Sequence, residues 1–300
     1  LWWIYAAFTA VEALLLTFGD MTLFEAVAHS FTTMSTGGFG TDAGSLGAFS
    51  AYSQWVVIAF MTMAGVSFAL HWRGLQDPRD YGRSSEFRIY MIIILAASVF
   101  FLVGTLGGAI ATTIRNAVFT AVSLVTTTGY ATADFGQWAV ALQIGAVGLM
   151  FLGGMAGSTA GSVKTFRLGI LTSAARNDLR RIMHPRGVFV ARLGKDPVPD
   201  EVVESVQSFF LFYVSLFGLG ILAFGMILSQ SGSPIDVGTA ASAVASALGN
   251  IGPGLGEVGP SGNYLAVPAA GKWLLSFLMI VGRLEIFPVL QLLTRELWRK

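Results

Sequence analysis

The 300-residue chain contains no cysteine and few charged residues. The absence of cysteine excludes disulfides and thiolate metal sites. Charged residues make up 12% of the chain, about half of the roughly 25% that is usual in soluble domains. Hydrophobic residues reach 54%, with a mean hydropathy of +0.68, which excludes an ordinary soluble domain and predicts a membrane protein. The net charge of +1 gives no indication of a nucleic-acid partner.

Long apolar runs predict an all-α membrane protein. A helix needs about 20 apolar residues to cross a bilayer, and several segments approach or exceed this length. These segments are 1–18, 53–70, 89–106, 136–163, 205–228 and 273–292. The chain begins without Met and directly in an apolar stretch, so we expect it to be part of a longer protein.

A glycine- or threonine-rich tip interrupts the apolar chain three times, at 34–40, 126–132 and 247–254. The backbone of such a tip cannot face lipid, because its N–H and C=O groups would lack hydrogen-bond partners there. Three tips in one register predict re-entrant loops that line one wet path. The alternative is that these segments are outer loops or interfacial helices.

Each tip lies in a repeated unit of a long helix, a short helix, the tip and a second long helix. The predicted short helices are 22–34, 115–125 and 235–248. The first, with 13 residues, would reach about 20 Å, too little for the ~30 Å bilayer core. The tip glycines taken as equivalent are Gly37, Gly129 and Gly249. We predict pore repeats at 1–75, 86–182 (with a broken return helix) and 201–300, and a cytoplasmic linker at 183–200.

Charges are distributed unevenly between the two sides of the predicted membrane. Most of the eighteen Lys and Arg residues lie in 73–88, 164–195 and 295–300, which the positive-inside rule places in the cytoplasm. An acidic outer side would attract cations, although the same acids could serve only loop solubility. The outer acids are Asp20, Glu25, Asp42, Asp134, Asp236 and Glu257.

The tips have the composition that a cation filter requires. A ring of backbone carbonyls replaces the water of a dehydrating cation, and glycine allows a positive φ and close approach to an axis. The negative C-terminal end of each short helix would favour a cation at the membrane centre. Three histidines, His29, His71 and His184, are scattered and predict no metal site. Three units leave a fourfold ring open, so a fourth must come from upstream or from another chain.

The motifs Ser-Thr-Gly-Gly-Phe at 35–39, Thr-Thr-Thr-Gly-Tyr at 126–130 and Leu-Gly-Asn-Ile-Gly-Pro-Gly at 248–254 resemble the Trk/Ktr/HKT potassium transporters, most closely the bacterial TrkH type. The resemblance covers essentially the whole chain, as repeats two to four of four. It implies a pseudo-fourfold pore with its first unit missing, potassium as the transported ion and a multi-pass position in the inner membrane. The implied filter residues are Ser35, Thr36, Gly37, Gly38, Phe39, Thr127, Thr128, Gly129, Tyr130, Leu248, Gly249, Asn250 and Ile251.

A second glycine-rich segment, 153–161, lies within the apolar run of the second repeat. Each glycine costs about 1 kcal/mol in a helix relative to alanine, so this segment should unwind; the alternative is a glycine face for close helix packing. In the family the matching segment is an intramembrane gate beside an arginine, here Arg283, which could instead snorkel to the interface. Glu285 lies on another helix face, so an Arg283–Glu285 pair is not expected. The implied gate residues are Gly153, Gly154, Gly157, Ser158, Thr159, Gly161, Lys164 and Arg283.

The resemblance also implies partners, namely a homodimer and a separate TrkA-type cytoplasmic ring that binds nucleotides. The basic segment 164–195 could dock that ring, enforce topology or contact anionic lipid. No covalent chemistry is expected: Ser158 might suggest a membrane protease, but no intramembrane histidine could act as its base. Other functions left open are a non-conducting scaffold or sensor, a truncated product, and a poorly selective K⁺/Na⁺ channel.

Overall fold

The computed structural model describes residues 1–233, 235–294 and 298, and this part of the chain is mostly helical. Arg295, Arg299 and Lys300, which the charge distribution places in the cytoplasm, lie outside the described residues. Between the second and third repeats, a small antiparallel hairpin of β1 (Arg192–Leu193) and β2 (Asp196–Pro197) precedes the long helix that begins the third repeat.

The first repeat consists of a long helix, a short helix and a bent return. Its short helix starts at a capping box, in which Glu25 accepts from the Thr22 amide at 2.8 Å and donates its own amide to the Thr22 hydroxyl at 3.4 Å. Twelve residues then span about 18 Å. The helices are α1 (Trp2–Thr17), α2 (Leu23–Met34), α3 (Ala51–Ala64), α4 (Phe68–Gln76) and α5 (Arg79–Arg83).

The second and third repeats follow the same order of elements. The second contains α6 (Ser85–Gly104), α7 (Ile110–Val125), α8 (Val140–Leu149) and α9 (Thr165–Met183). The third contains α10 (Asp200–Ser231), α11 (Val237–Gly249), α12 (Ala269–Arg283) and α13 (Phe287–Leu293). The short helix of the second repeat begins at Ile110, earlier than the predicted Arg115. Arg115 is accommodated within this helix because it donates to the side-chain oxygen of the buried Gln54 at 2.6 Å.

Within the described residues, two helices, α6 and α10, are long and apolar enough by length and composition to cross a membrane, each with a mean hydropathy of 2.3. The pair α3 and α4 qualifies only when joined, and its two parts meet at 97°. The prediction of a straight span at 53–70 is therefore wrong. The helix ends at Ala64, and the Gly65 carbonyl accepts instead from Met155 at 2.9 Å.

All three return helices are interrupted, whereas the sequence predicted a break only in the second repeat. In that repeat α8 has 10 residues and the chain from 150 to 164 is not helical. In the third repeat the expected continuous helix at 273–292 stops at Arg283, and Glu285 and Ile286 adopt positive φ values of 57° and 36° before α13 starts. The breaks place irregular backbone at corresponding positions of the three units.

The short helices form the centre of the packed structure. In α7 and α11 most residues of the C-terminal half are buried, including the hydroxyl side chains of Ser123 and Ser246. Large apolar side chains on the long helices instead remain exposed on the outside of the bundle, for example Trp3, Ile92 and Leu219. This arrangement, with an apolar exterior and small polar groups inside, is the one expected for a protein in lipid.

Helix α12 lies unusually close to the end of α11. A Cβ atom added at Gly282 would lie 1.9 Å from the Leu248 carbonyl oxygen, whereas one added at Gly225 on α10 would meet no atom within 4 Å. Gly282→Ala should therefore destabilise the protein by at least about 1–3 kcal/mol through overpacking. Gly225→Ala should be neutral or stabilising by up to ~1 kcal/mol.

The measurement is the apparent Tm of the purified full-length protein in detergent. Equal Tm values for the two variants would contradict the close packing of α12 on the carbonyl end of α11.

Candidate functional site

The three tips share one backbone conformation. Within two residues of the end of the short helix, each tip has a residue with positive φ, and a positive-φ glycine follows two positions later. A positive φ is rare for a β-branched residue and costs on the order of 1–3 kcal/mol, so the surrounding structure must hold it in place. The pairs are Thr36 (53°) with Gly38 (66°), Thr127 (56°) with Gly129 (84°), and Asn250 (56°) with Gly252 (117°).

This pattern corrects the register of the tips. Gly38, Gly129 and Gly252 are equivalent, and the predicted set of Gly37, Gly129 and Gly249 is wrong at two positions. Gly249 is the last residue of α11. In the third tip Asn250 takes the positive φ, because the short polar side chain of asparagine tolerates that region. The equivalent glycine is therefore Gly252, two residues after Asn250, and not Gly249.

Hydrogen bonds within each tip repeat in the same register. The residue before the tip glycine donates its amide to the carbonyl five residues earlier, inside the last turn of the short helix. The donor–acceptor pairs are Gly37 to Thr32 (2.7 Å), Thr128 to Ser123 (3.0 Å) and Ile251 to Ser246 (2.9 Å). The three acceptor residues all carry hydroxyls that brace their own tips.

Neighbouring tips touch through a contact that recurs from one repeat to the next. A Cβ atom on Gly38 would lie 1.8 Å from the Thr128 carbonyl oxygen, and one on Gly129 would lie 1.8 Å from the Ile251 carbonyl oxygen. Both contacts therefore require glycine. Equivalent residues therefore meet at both contacts, as they would in a rotational arrangement of the three tips.

Beyond the third tip the arrangement is open. No atom lies within 4 Å of the Cβ position of Gly252. A cavity of about 500 Å³ separates the third tip from the first and extends down to Met279 and Arg283. Phe39, which directly follows the tip glycine Gly38, is 75% exposed on this open side, whereas the equivalent residue of the second tip, Tyr130, is buried.

Tyr130 clamps the first tip to the second. Its hydroxyl hydrogen-bonds with the Thr32 hydroxyl, and its oxygen lies 3.3 Å from the His29 carbonyl oxygen and 3.4 Å from that of Phe39. The Thr32 hydroxyl also donates to the Phe39 carbonyl at 2.8 Å. The side chains of Tyr130 in the second tip and of Thr32 in α2 therefore hold the first tip in position.

The glycine-rich loop at 150–164 lies directly against the bases of the tips. The Thr36 hydroxyl donates to the Thr159 carbonyl at 2.8 Å, and the Gly161 amide donates to the Thr127 hydroxyl at 2.6 Å. A Cβ atom on Gly161 would lie 2.4 Å from the Gly249 carbonyl oxygen. One loop thus contacts all three repeats.

The loop glycines permit close approaches between backbones. A Cβ atom on Gly153 would lie 2.1 Å from the Gly161 carbonyl oxygen, and one on Gly154 would lie 2.7 Å from the Gly65 carbonyl oxygen. Gly157 has a φ of 74°. The alternative of a glycine face on a continuous helix does not hold, because this segment is not helical.

Cationic side chains bind the free carbonyls of the loop. Arg283 donates to the Thr159 carbonyl at 2.9 Å, and the largely buried Lys164 ammonium group donates to the Ala160 carbonyl and reaches that of Ser158 at 3.5 Å. Arg283 makes no ion pair with Glu285 among the described residues. Glu285 instead pairs with Arg167 at 2.6 Å.

Sequence reasoning missed several residues that hold this site together. Glu86, at the start of α6, accepts from the Ala156 amide at 2.7 Å and so fixes the loop from behind. Gly65 lends its carbonyl to Met155, and Arg167 stacks on Phe209 with 3.9 Å between its guanidinium carbon and the ring centroid. Glu86 could have been noticed as a carboxylate immediately before an uncharged run.

The outer acids serve mainly as caps and turn supports. Hydrogen bonds from the Thr239 side chain and amide lower the pKa of Asp236, which caps α11. Burial raises the pKa of Asp20, but hydrogen bonds from Ser53 and Ser50 outweigh it, so the net shift is downward. Of these acids, Asp42 lines the cavity between the tips. Loop structure therefore accounts for most of the acidic outer side.

Comparison with known proteins identifies the family. A family model described as TrkH, cation transport protein, matches residues 91–298. The Trk system potassium uptake protein TrkH of Halomonas elongata is 36% identical and is matched by 100% of this chain, and its TrkI is 37% identical over 99% of the chain. The TrkH of Escherichia coli K12 is 33% identical over 100% of the chain.

A solved structure has the same fold. The crystal structure of the potassium transporter TrkH from Vibrio parahaemolyticus matches 99% of this chain with a TM-score of 0.90 and 33% identity. The chain covers 64% of that structure and 62% of the Halomonas elongata TrkH. The chain thus belongs to the TrkH family of cation transport proteins and spans about three fifths of the length of these relatives.

The corrected register predicts different effects for two adjacent glycines. Gly38→Ala forces a methyl group onto the Thr128 carbonyl at a positive φ, whereas the nearest atom to a methyl group at Gly37 is the movable Ser35 hydroxyl at 3.2 Å. A strain on the order of 1–3 kcal/mol at Gly38 should lower cation uptake by about tenfold or more. Gly37→Ala should lose less.

The measurement is cation uptake by the full-length protein at matched membrane expression. A larger loss for Gly37→Ala than for Gly38→Ala would restore the register predicted from the sequence alone.

Proposed function

We propose that this chain forms three of the four walls of a potassium pathway across the inner membrane. The observation that carries the proposal is the glycine-to-carbonyl contact that passes from the first tip to the second and from the second to the third. Such a rotational arrangement aims equivalent carbonyls at one axis, as a cation filter requires. The relatives named potassium uptake proteins support potassium as the ion.

In this proposal the backbone of the tips replaces the hydration shell of potassium. The carbonyls of 35–39, 127–130 and 248–252 are the candidate ligands, which extends the predicted filter by Gly252. The short helices end at the tips, so their partially negative C-termini favour a cation there. Tyr130 and Thr32 act from behind by fixing the spacing between two tips.

The loop at 153–161 is the proposed gate, because it lies across the base of all three tips. The Thr159 peptide is its central element, since its carbonyl accepts from both Thr36 and Arg283. The Arg283 guanidinium also faces the cavity and would repel a cation that enters. Opening must therefore break the bond between Arg283 and the loop.

The partners that we propose are a second copy of the protein and a TrkA-type nucleotide-binding ring on the cytoplasmic side. Helix α9 and the hairpin after it would present the basic surface of 164–195 to that ring. A ring that moves α9 would pull directly on the loop, because α9 begins at Thr165, immediately after Lys164.

Selectivity tests the filter. Glycine occupies the equivalent position in all three tips, and in the family a serine at one tip is linked to sodium permeation. The full-length protein in vesicles should take up potassium at least roughly tenfold faster than sodium. This ratio corresponds to a free-energy difference of about 1.4 kcal/mol between the two ions in the pathway. Equal uptake of the two ions at matched concentration would contradict a potassium filter.

The gate is tested at Arg283. Arg283→Ala removes a charged hydrogen bond, worth about 1.5–3 kcal/mol, from the closed arrangement and should raise potassium flux by roughly tenfold. Deleting 154–160 should have the same direction of effect. Lys272→Ala is the matched control on the same helix, because Lys272 reaches only the exposed Leu265 carbonyl at 3.5 Å.

Flux is measured by isotope uptake, normalised to protein in the membrane. Unchanged or lower flux in both Arg283→Ala and the deletion, with normal expression, would contradict the gate.

A further inference from the structure

Glu12 is an acid without a partner in the interior of the protein. It lies in α1, is 0% exposed, and neither carboxyl oxygen has a hydrogen-bond partner among the described residues. It takes part in none of the ion pairs found there. A carboxyl group at such a position is not explained by the filter or by the loop.

The elements packed around Glu12 offer no cation. Neither α1, α2 nor α3 contains Lys or Arg, and Arg73 lies exposed at the far end of α4. Two tyrosines on these helices are titratable, Tyr5 on α1 itself and Tyr52 on α3. The Tyr52 hydroxyl donates to the Leu15 carbonyl at 3.2 Å, towards the outer end of α1.

The remaining titratable groups are already engaged or face elsewhere. On α4, the His71 ring hydrogen-bonds with the Met63 carbonyl at 2.9 Å and with the Tyr81 hydroxyl at 2.8 Å, so both ring nitrogens are engaged. On α2, His29 donates through Nδ1 to the Glu25 carbonyl at 2.8 Å, and its Nε2 faces Gly40.

Outside these helices, the Tyr130 hydroxyl is bound to Thr32. At the outer ends of α1 and α2, the carboxylates of Asp20 and Glu25 accept from Ser50 and Thr22. The surroundings of Glu12 are therefore neutral or negative.

A charged carboxylate in this position would be strongly unfavourable. Burying an unpaired ion costs several kcal/mol or more, and an ionisable residue inside a membrane protein usually has a functional role. The neutral acid avoids this cost and gains a donor. Thr33 lies beside Glu12, and because its hydroxyl hydrogen is already donated to the His29 carbonyl at 2.8 Å, its oxygen is free to accept from a protonated carboxyl.

We propose that Glu12 is a proton-binding site that secures the first tip. In this proposal the protonated acid donates from α1 to Thr33 on α2, which is adjacent to Thr32, the residue whose carbonyl and hydroxyl brace the first tip. Loss of the proton leaves an unpaired charge in the interior and loosens α1 from α2, so the stability that this site contributes is lost with the proton.

Infrared spectroscopy of the purified full-length protein tests the proton directly and does not depend on transport. The wild type at pH 7 should show a carbonyl stretch of a buried protonated carboxylic acid, and Glu12→Gln should lose it. Glu201→Gln, which removes an exposed acid at the start of α10, should retain it. A spectrum unchanged by Glu12→Gln overturns the proposal. If Glu12→Gln fails to fold, Glu12→Asp serves instead, and an unshifted band overturns the proposal equally.

The link to the first tip is tested by the pH dependence of the Tm. Between pH 6 and pH 9 the wild-type Tm should fall more steeply than that of Glu12→Gln, in which an uncharged amide replaces the acid. Parallel slopes for the two proteins overturn the link. Because neither measurement depends on ion transport, a failure of this proposal is distinguishable from a failure of the proposed potassium pathway.

Discussion

The structure depends on one constraint, which is that every backbone carbonyl released inside an apolar bundle needs a new donor. Each broken return helix releases such carbonyls near the bases of the tips. The Ala64 and Gly65 carbonyls accept from Thr159 and Met155, and the Met150 carbonyl accepts from the Ser162 hydroxyl at 2.8 Å. The loop at 150–164 thus supplies donors to the carbonyls that the first and second breaks release, and these bonds hold the loop in place.

The same few peptide groups of the loop hydrogen-bond both with the supports of the tips and with the proposed gate residue Arg283. Thr159 contacts the end of α2 through the Met34 carbonyl at 3.0 Å. It also contacts the first tip through Thr36 and the end of α12 through Arg283. A rearrangement of the loop therefore changes the support of the tips. Under the proposed function, ion selectivity and gating share hydrogen bonds and are energetically coupled.

The sequence alone predicted the helical class, the three units and the unwinding around Gly157, because glycine content and apolar length are local properties. It chose Gly37 and Gly249 as the equivalent glycines, where the structure has Gly38 and Gly252, because neighbouring glycines are indistinguishable in a sequence. The φ values and the hydrogen bonds of the tips distinguish them. It missed the break after Ala64 because a single glycine in an apolar run is ordinary. That break is stabilised by Met155 and Thr159, which lie about ninety residues further along the chain, a distance that no local pattern reports.

The contact between tips has a direction along the chain. Gly38 meets a carbonyl of the second tip, and Gly129 meets a carbonyl of the third. The first two tips can therefore complete their packing only after the following repeat has been synthesised. A chain truncated between two repeats would leave the last tip glycine without its carbonyl partner, and the positive φ in that tip would lose the neighbour that holds it.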